Sequence, residues 1–437
     1  MLDSNTWRAA AAVMLVLFTT ACGGGEAAAR EATVVVTFWH AMGGPLGDVL
    51  LCLVDEFNST HPGIEVVPVS MGSYRALSQK IMASVMAGDP PELAQAYETW
   101  TAQLIRGGAI VPLDSLMDLD PDFERGDWLD FVEVFREDNT FDGRVYSFPF
   151  NKSVPVIYYN VQLFDSLGLS PASTWEEQRE LLFDLSLDGN ADGDKFDEGD
   201  RWGTAFPVSV WMFECLLLQS GGDLIDESGT ATAFASPEGI EALEYLSGLV
   251  TEDSTAYLST GFEHQREFSE GRVGLVQGSI VSLSFMQDDM RRRAESGLPV
   301  FEIGVAALPA GRERAVLISG TNVVIFGSDH PEKVLAAWEF VKWFTDTEQQ
   351  ARWFSGTYYL PARSSSISHP ASMEACERVP GLRDALGQLE YATFEPQMTA
   401  WYDGREFLAE AVEIALYGRM SPAEALRRAA DLSDSEI

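Results

Sequence analysis

The run Thr33-Val-Val-Val-Thr-Phe-Trp39 is apolar enough for a strand buried on both faces, and the loop His40-Ala-Met-Gly-Gly-Pro45 follows it. From residue 45 to 58 the apolar residues Leu46, Val49, Leu50, Leu53, Val54 and Phe57 return at helical spacing. His61-Pro-Gly63 breaks that pattern before an apolar run at 64–69, so strand, helix and strand succeed one another as in a βαβ unit. A second helix is expected near Tyr74–Ala87, stopped by Gly88-Asp-Pro-Pro91, and a short strand at 92–97 brings Glu98 to its end. The stretch 148–160 sets Asn151, Lys152 and Ser153 ahead of another strand run, and a helix should follow Thr174-Trp175-Glu-Glu177. Similar units repeat to about residue 308; 316–325 reads as one strand, Pro331–Phe344 as a helix and 381–432 as almost wholly helical. This alternation predicts α/β architecture with a mostly parallel sheet, and strand ends are where such folds hold ligands.

With 437 residues, 46% hydrophobic, the chain can bury a large core, and its length suits two domains. The expected division is a first lobe from 33–148 and 308–357 and a second from 149–307 and 358–437, with several chain crossings and a cleft in the middle. Asp and Glu total 67 against 29 Lys and Arg, a formal charge of −38. That field repels nucleic acid and anionic membrane surfaces, so an anionic ligand would have to be met by local cations and backbone N–H groups.

Residues 1–22 read as an export signal: Arg8, an apolar stretch too short to span a bilayer, then small residues before Cys22. Cys22 and the Gly- and Ala-rich stretch after it resemble a bacterial lipoprotein processing site, with 23–32 as a flexible tether, although Thr19 stands where Leu is usual. The expected location is periplasmic or otherwise outside the cytoplasm, with membrane contact only through a lipid anchor. Cys52, Cys215 and Cys376 lack zinc or disulfide spacing, and Cys52 and Cys215 read as small buried hydrophobes.

Of five histidines only His40, at a strand end, is placed to reach a cleft; no G-x-S-x-G, Walker or H-E-x-x-H motif occurs. Asp188, Asn190, Asp192 and Asp194, with Gly193 at position 6, match the start of an EF-hand-like loop. Gly199 replaces its closing Glu, leaving Asp197 or Asp200 as substitutes; the alternatives are a structural calcium remote from the ligand and a solvated acidic turn. Tyr158-Tyr159, Tyr358-Tyr359 and eleven tryptophans suit stacking on a sugar or polyol, although most such aromatics belong to cores.

Phe38-Trp-His40, Ser70-Met-Gly-Ser-Tyr74, Gln95-Ala-Tyr-Glu98, the Pro149–Asn160 motif PFNKSVPVIYYN and Gly418-Arg-Met-Ser-Pro-Ala-Glu-Ala-Leu426 together resemble extracellular solute-binding protein family 1. These are the substrate-binding components of ABC importers, and the likeness extends to the glycerol-3-phosphate-binding members. It runs from about 33 to 430 and is weakest between 186 and 260. The resemblance implies a type II periplasmic-binding-protein fold, no enzymatic activity, and delivery of a small ligand to ABC permease subunits. The implied ligand is sn-glycerol 3-phosphate or a glycerophosphodiester. The alternatives are a sugar or oligosaccharide importer component and, from another class, a secreted glycoside or phosphodiester hydrolase. The family's contacts fall on Tyr74, Glu98, Ser153, Ser279, Gly320, Tyr359 and Arg405, with Arg405 forking onto phosphate and Glu98 accepting from glycerol hydroxyls. The family's stacking tryptophan aligns near Val208, and Trp211 replaces it only if the local alignment shifts. Tyr74, Glu98 and Gly320 are expected on one lobe, Ser153, Ser279 and Arg405 on the other, and Tyr359 at a crossing, so that a ligand bridging them would favour closure.

Overall fold

Helix Tyr74–Ala87 shows how closely local chemistry sets an element. Ser73 Oγ accepts from the Ala76 N–H at 3.2 Å, and Gly88 ends the helix at φ +74°, a conformation glycine adopts without a Cβ penalty. Thr174 caps helix Trp175–Leu185 in the same way, and helix Pro331–Phe344 has Pro at its first position, where no N–H is needed. The computed structural model describes residues 33–193 and 195–435. The expected signal segment with Cys22, the tether and Asp194 lie outside the described residues.

Two α/β units emerge, the two-lobed architecture expected. The first comprises 33–131, 135–150 and 321–350; the second comprises 132–134, 151–320 and 351–435. Residues 308–320 and 351–357, expected with the first lobe, therefore belong to the second unit, and Gly320 goes with them.

The first unit holds a five-stranded sheet in the order Ile64–Ser70, Val34–His40, Leu93–Ala96, Asn322–Ile325, Phe148–Pro149. Val34–His40 pairs in parallel with both neighbours, whereas Asn322–Ile325 runs antiparallel to Leu93–Ala96 and to Phe148–Pro149. The second unit's sheet runs Ile303–Ala306, Pro155–Asn160, Val273–Ser279, Trp202–Phe206, Ala256–Leu258, again half parallel and half antiparallel. The expectation of mostly parallel sheets fails for a topological reason. Parallel direction follows from a helical crossover inside one unit, but Asn322–Ile325 arrives only after the long excursion through the second unit.

The stretch 316–325 is two strands, not one. Val316–Leu317 pairs with Ala392–Thr393 in the second unit, and the chain turns at Gly320 before Asn322–Ile325 joins the first. The C-terminal region likewise contains that short strand and an irregular stretch, 394–400, ahead of helices Trp401–Leu416 and Pro422–Ser433. Cys215 is buried as expected, but Cys52 is exposed, because it falls on the outward face of helix Gly44–Thr60.

Cores fill both units: Phe38, Phe57, Leu77 and Ile81 in the first, Tyr158, Phe213, Phe234 and Trp401 in the second, all fully buried. Polar ties are embedded in the first. Asp120 Oδ2 accepts from Trp338 Nε1 and Lys342 Nζ, both at 2.7 Å. Burial pushes the Asp120 carboxyl up, but bonds from Lys342, the Asp122 N–H and Trp338 outweigh it, leaving it below the ordinary aspartate value. A depressed folded-state pKa means stability present above the unfolded value and lost as pH falls through the folded one. Asp120→Ala is thus expected to cost about 1–3 kcal/mol at neutral pH. It should also flatten the acid limb of the stability profile below about pH 4. Urea titrations at several pH values measure both, and a parallel profile would disprove the linkage.

Candidate functional site

In the second unit four of the sequence-derived residues converge through the backbone. Ser153 exchanges N–H···O bonds with Ser319, at 2.8 and 2.9 Å, which fixes Gly320 beside it. Ser279 ends strand Val273–Ser279; its Oγ lies 2.5 Å from Ser153 Oγ, and its carbonyl accepts from the Tyr158 hydroxyl at 2.6 Å. Lys152, fully buried, donates from Nζ to the Gly320 carbonyl at 3.2 Å, and its own carbonyl accepts from Leu360 N at 2.8 Å. That last bond brings in Tyr359, whose ring stacks on Trp353 at 5.5 Å and 10°. Gly320 has φ +102°, and a Cβ there would stand 2.0 Å from the Asn151 carbonyl oxygen. Only glycine allows this approach.

Trp211 and Arg405 belong to the same unit. Trp211 Nε1 donates to the Leu317 carbonyl at 2.7 Å, three residues before Gly320, so its indole N–H is already committed. Arg405, on helix Trp401–Leu416, faces two carboxylates. Its Nη2 donates to Glu214 Oε2 at 3.4 Å, and its Nε lies 3.3 Å from Glu214 Oε1 and 3.0 Å from Glu395 Oε2. Glu395 Oε2 also accepts from Trp401 Nε1 at 3.2 Å. The Glu214 side chain is wholly buried, and burial pushes its carboxyl up against the opposing pull of Arg405. Burial also pushes the neighbouring Cys215 thiol up to about 12, so it is an inert thiol.

Tyr74 and Glu98 lie in the first unit. Tyr74 begins helix Tyr74–Ala87 with its ring edge-on to Tyr97, centroids 5.2 Å apart, and Tyr97 meets Trp100 the same way. Glu98 is the first residue of helix Glu98–Arg106, where the helix dipole favours a carboxylate, and it is nearly buried. Asn322 Nδ2 donates to Glu98 Oε1 at 3.3 Å and to Asp138 Oδ2 at 3.0 Å. His40 is buried, accepts from the Met42 N–H at Nδ1 and, with burial dropping its pKa to about 4, is neutral at pH 7.

The acidic loop binds itself. Asn190 Nδ2 donates to Asp192 and Asp197, the Gly193 N–H to Asp188 Oδ2, and the Gly189 N–H to Asp200 Oδ1. Asp188 Oδ1 and Asp200 Oδ2 are buried without hydrogen-bond partners, but among the described residues no three His, Cys, Asp or Glu side chains gather to hold a metal ion. The expected calcium constellation is therefore not formed by Asp188 and Asp192 with their described neighbours, and Asp194 is outside them.

The family model for bacterial extracellular solute-binding proteins matches residues 48–351. The chain belongs to that family. The sn-glycerol-3-phosphate-binding periplasmic protein UgpB of Pectobacterium atrosepticum is 26% identical over 369 residues, covering 82% of this chain and 80% of the relative. Two solved structures share the fold. UgpB from Mycobacterium tuberculosis in complex with glycerophosphocholine has TM-score 0.78 at 20% identity, covering 93% of this chain and 98% of that one. Maltose-bound T. maritima MalE3 has TM-score 0.77 at 22% identity, covering 93% and 100%.

Sequence reading of this solute-binding protein missed Glu214, Glu395, Asp138 and Asn322. Glu214 left a signal: it is the one charge in the apolar helix Val210–Gln219, and a buried charge needs a partner. Glu395, in an irregular stretch, left none.

Proposed function

We propose that this solute-binding protein works outside the cytoplasm as the ABC-importer component that captures sn-glycerol 3-phosphate or a glycerophosphodiester and hands it to a permease. The observation that carries the reading is the convergence of Ser153, Ser279, Gly320 and Tyr359 in the unit that also holds Arg405. Hydroxyls and a guanidinium suit phosphate oxygens, and the buried Glu98 carboxylate suits the glycerol hydroxyls. Cys22 is the proposed point of lipid attachment.

A sugar is the second reading, favoured by the partly exposed Trp211, an aromatic side chain of the kind that stacks on sugar C–H faces. Isothermal calorimetry of the purified chain against glycerol 3-phosphate, glycerophosphoglycerol and maltose separates them. Heat from either phosphate ligand and none from maltose is the expected result. Binding of maltose alone would replace the first reading with the second, and release of free glycerol from the diester would make the protein a hydrolase.

A further inference from the structure

We propose that Glu214 is a specificity-determining residue that, with Glu395, makes Arg405 select a singly charged phosphodiester over a doubly charged phosphomonoester. This rests on the phosphate-binding reading above. One guanidinium faces two carboxylates, Glu214 within 3.3 Å and Glu395 within 3.0 Å, so the attraction it has for an anion is shared with two acids beside it. Glu214 is wholly enclosed, and its Oε1 accepts no hydrogen bond although it lies within ion-pair distance of Arg405 Nε. Its pairing with Arg405 therefore sits in surroundings where water screens charge poorly.

An arginine that serves only to attract anions is better left with its charge uncompensated. Here each added negative charge on the ligand meets repulsion from Glu214 and Glu395 as well as attraction from Arg405. A phosphomonoester near pH 7.5 carries close to two charges, since its second ionisation falls near pH 6. A phosphodiester carries one. The second charge is the one the cluster opposes, because the first already uses the attraction Arg405 has to give. A single unit charge about 10 Å from the phosphorus, at the effective dielectric of a partly buried site, changes affinity about tenfold. The acid is also costly to keep: an uncharged residue would sit more comfortably in the apolar helix Val210–Gln219. A role confined to bracing Arg405 predicts lower stability on neutralising it, but no change in the ranking of ligands.

Calorimetry at pH 7.5 with the full chain and its Glu214→Gln and Glu395→Gln variants, against glycerol 3-phosphate and glycerophosphoglycerol, tests the selection. The wild-type chain is expected to bind the diester about tenfold more tightly than the monoester. Glu214→Gln should tighten the monoester about tenfold and change the diester less than about threefold, so the ratio collapses. Glu395→Gln, at a partly exposed position, provides the same readout if Glu214→Gln fails to fold. An unchanged ratio in a folded variant that binds both ligands overturns the selection alone. Binding of maltose and of neither phosphate ligand overturns the phosphate reading, and the selection with it.

Discussion

Arg405→Ala removes measurable binding of a phosphate-bearing ligand, an expected loss of about 2–5 kcal/mol. Arg405 is the sole cation among the candidate contact residues, and the chain's overall charge of −38 does nothing to attract an anion. The same replacement strips Glu214 of the cation beside its buried carboxylate, so stability should fall by about 3 kcal/mol. The two effects are separable. The double variant Arg405→Ala/Glu214→Gln should recover much of the lost melting temperature, because the wholly buried acid is no longer a charge without its cation, yet it should still not bind phosphate. Calorimetry and thermal melts of the three proteins read both quantities. Retained phosphate affinity in the single variant would remove Arg405 from the site.

Gly320→Ala should be the most damaging single-methyl change in the chain's candidate site, costing about 3 kcal/mol or more. An alanine there is held at φ +102°, where L-residues are strained, and its Cβ would lie 2.0 Å from the Asn151 carbonyl oxygen. Relief requires moving backbone on one side or the other. Moving Asn151 disturbs Lys152 and Ser153, and moving Gly320 breaks the paired Ser153–Ser319 bonds. Binding should therefore weaken along with folding. An unshifted urea midpoint would show that the approach of these two strands is looser than the structure has it.

How much of this could be read beforehand depends on what each feature encodes. Helices Tyr74–Ala87 and Pro331–Phe344 were legible to the residue, the first from its period, Ser73 cap and Gly88 stop, the second from its period and the proline at its first position. The break within 316–325 was not, because apolar periodicity is blind to φ and Gly320 alone did not say which way the chain would turn. The fate of Cys52 was lost for a similar reason: it sits beside apolar neighbours in sequence but on the solvent side of its helix. The candidate contacts came from resemblance to a family. The carboxylates around Arg405 had to come from the fold, since Glu214 and Arg405 are brought together by packing across 191 positions.

The placement of Asn322–Ile325 between Leu93–Ala96 and Phe148–Pro149 bears on how the chain is made. A nascent polypeptide that has emerged only to residue 150 owns four of the five strands of its first sheet but lacks the one that joins Phe148–Pro149 to the rest. Leu93–Ala96 then presents an unpaired edge, and the sheet stays open until some 170 further residues have been synthesised. Closing it means joining stretches far apart in sequence, which makes folding slow. Until those residues are available, the N-terminal third remains unfinished, and a strand from the last third of the chain completes it.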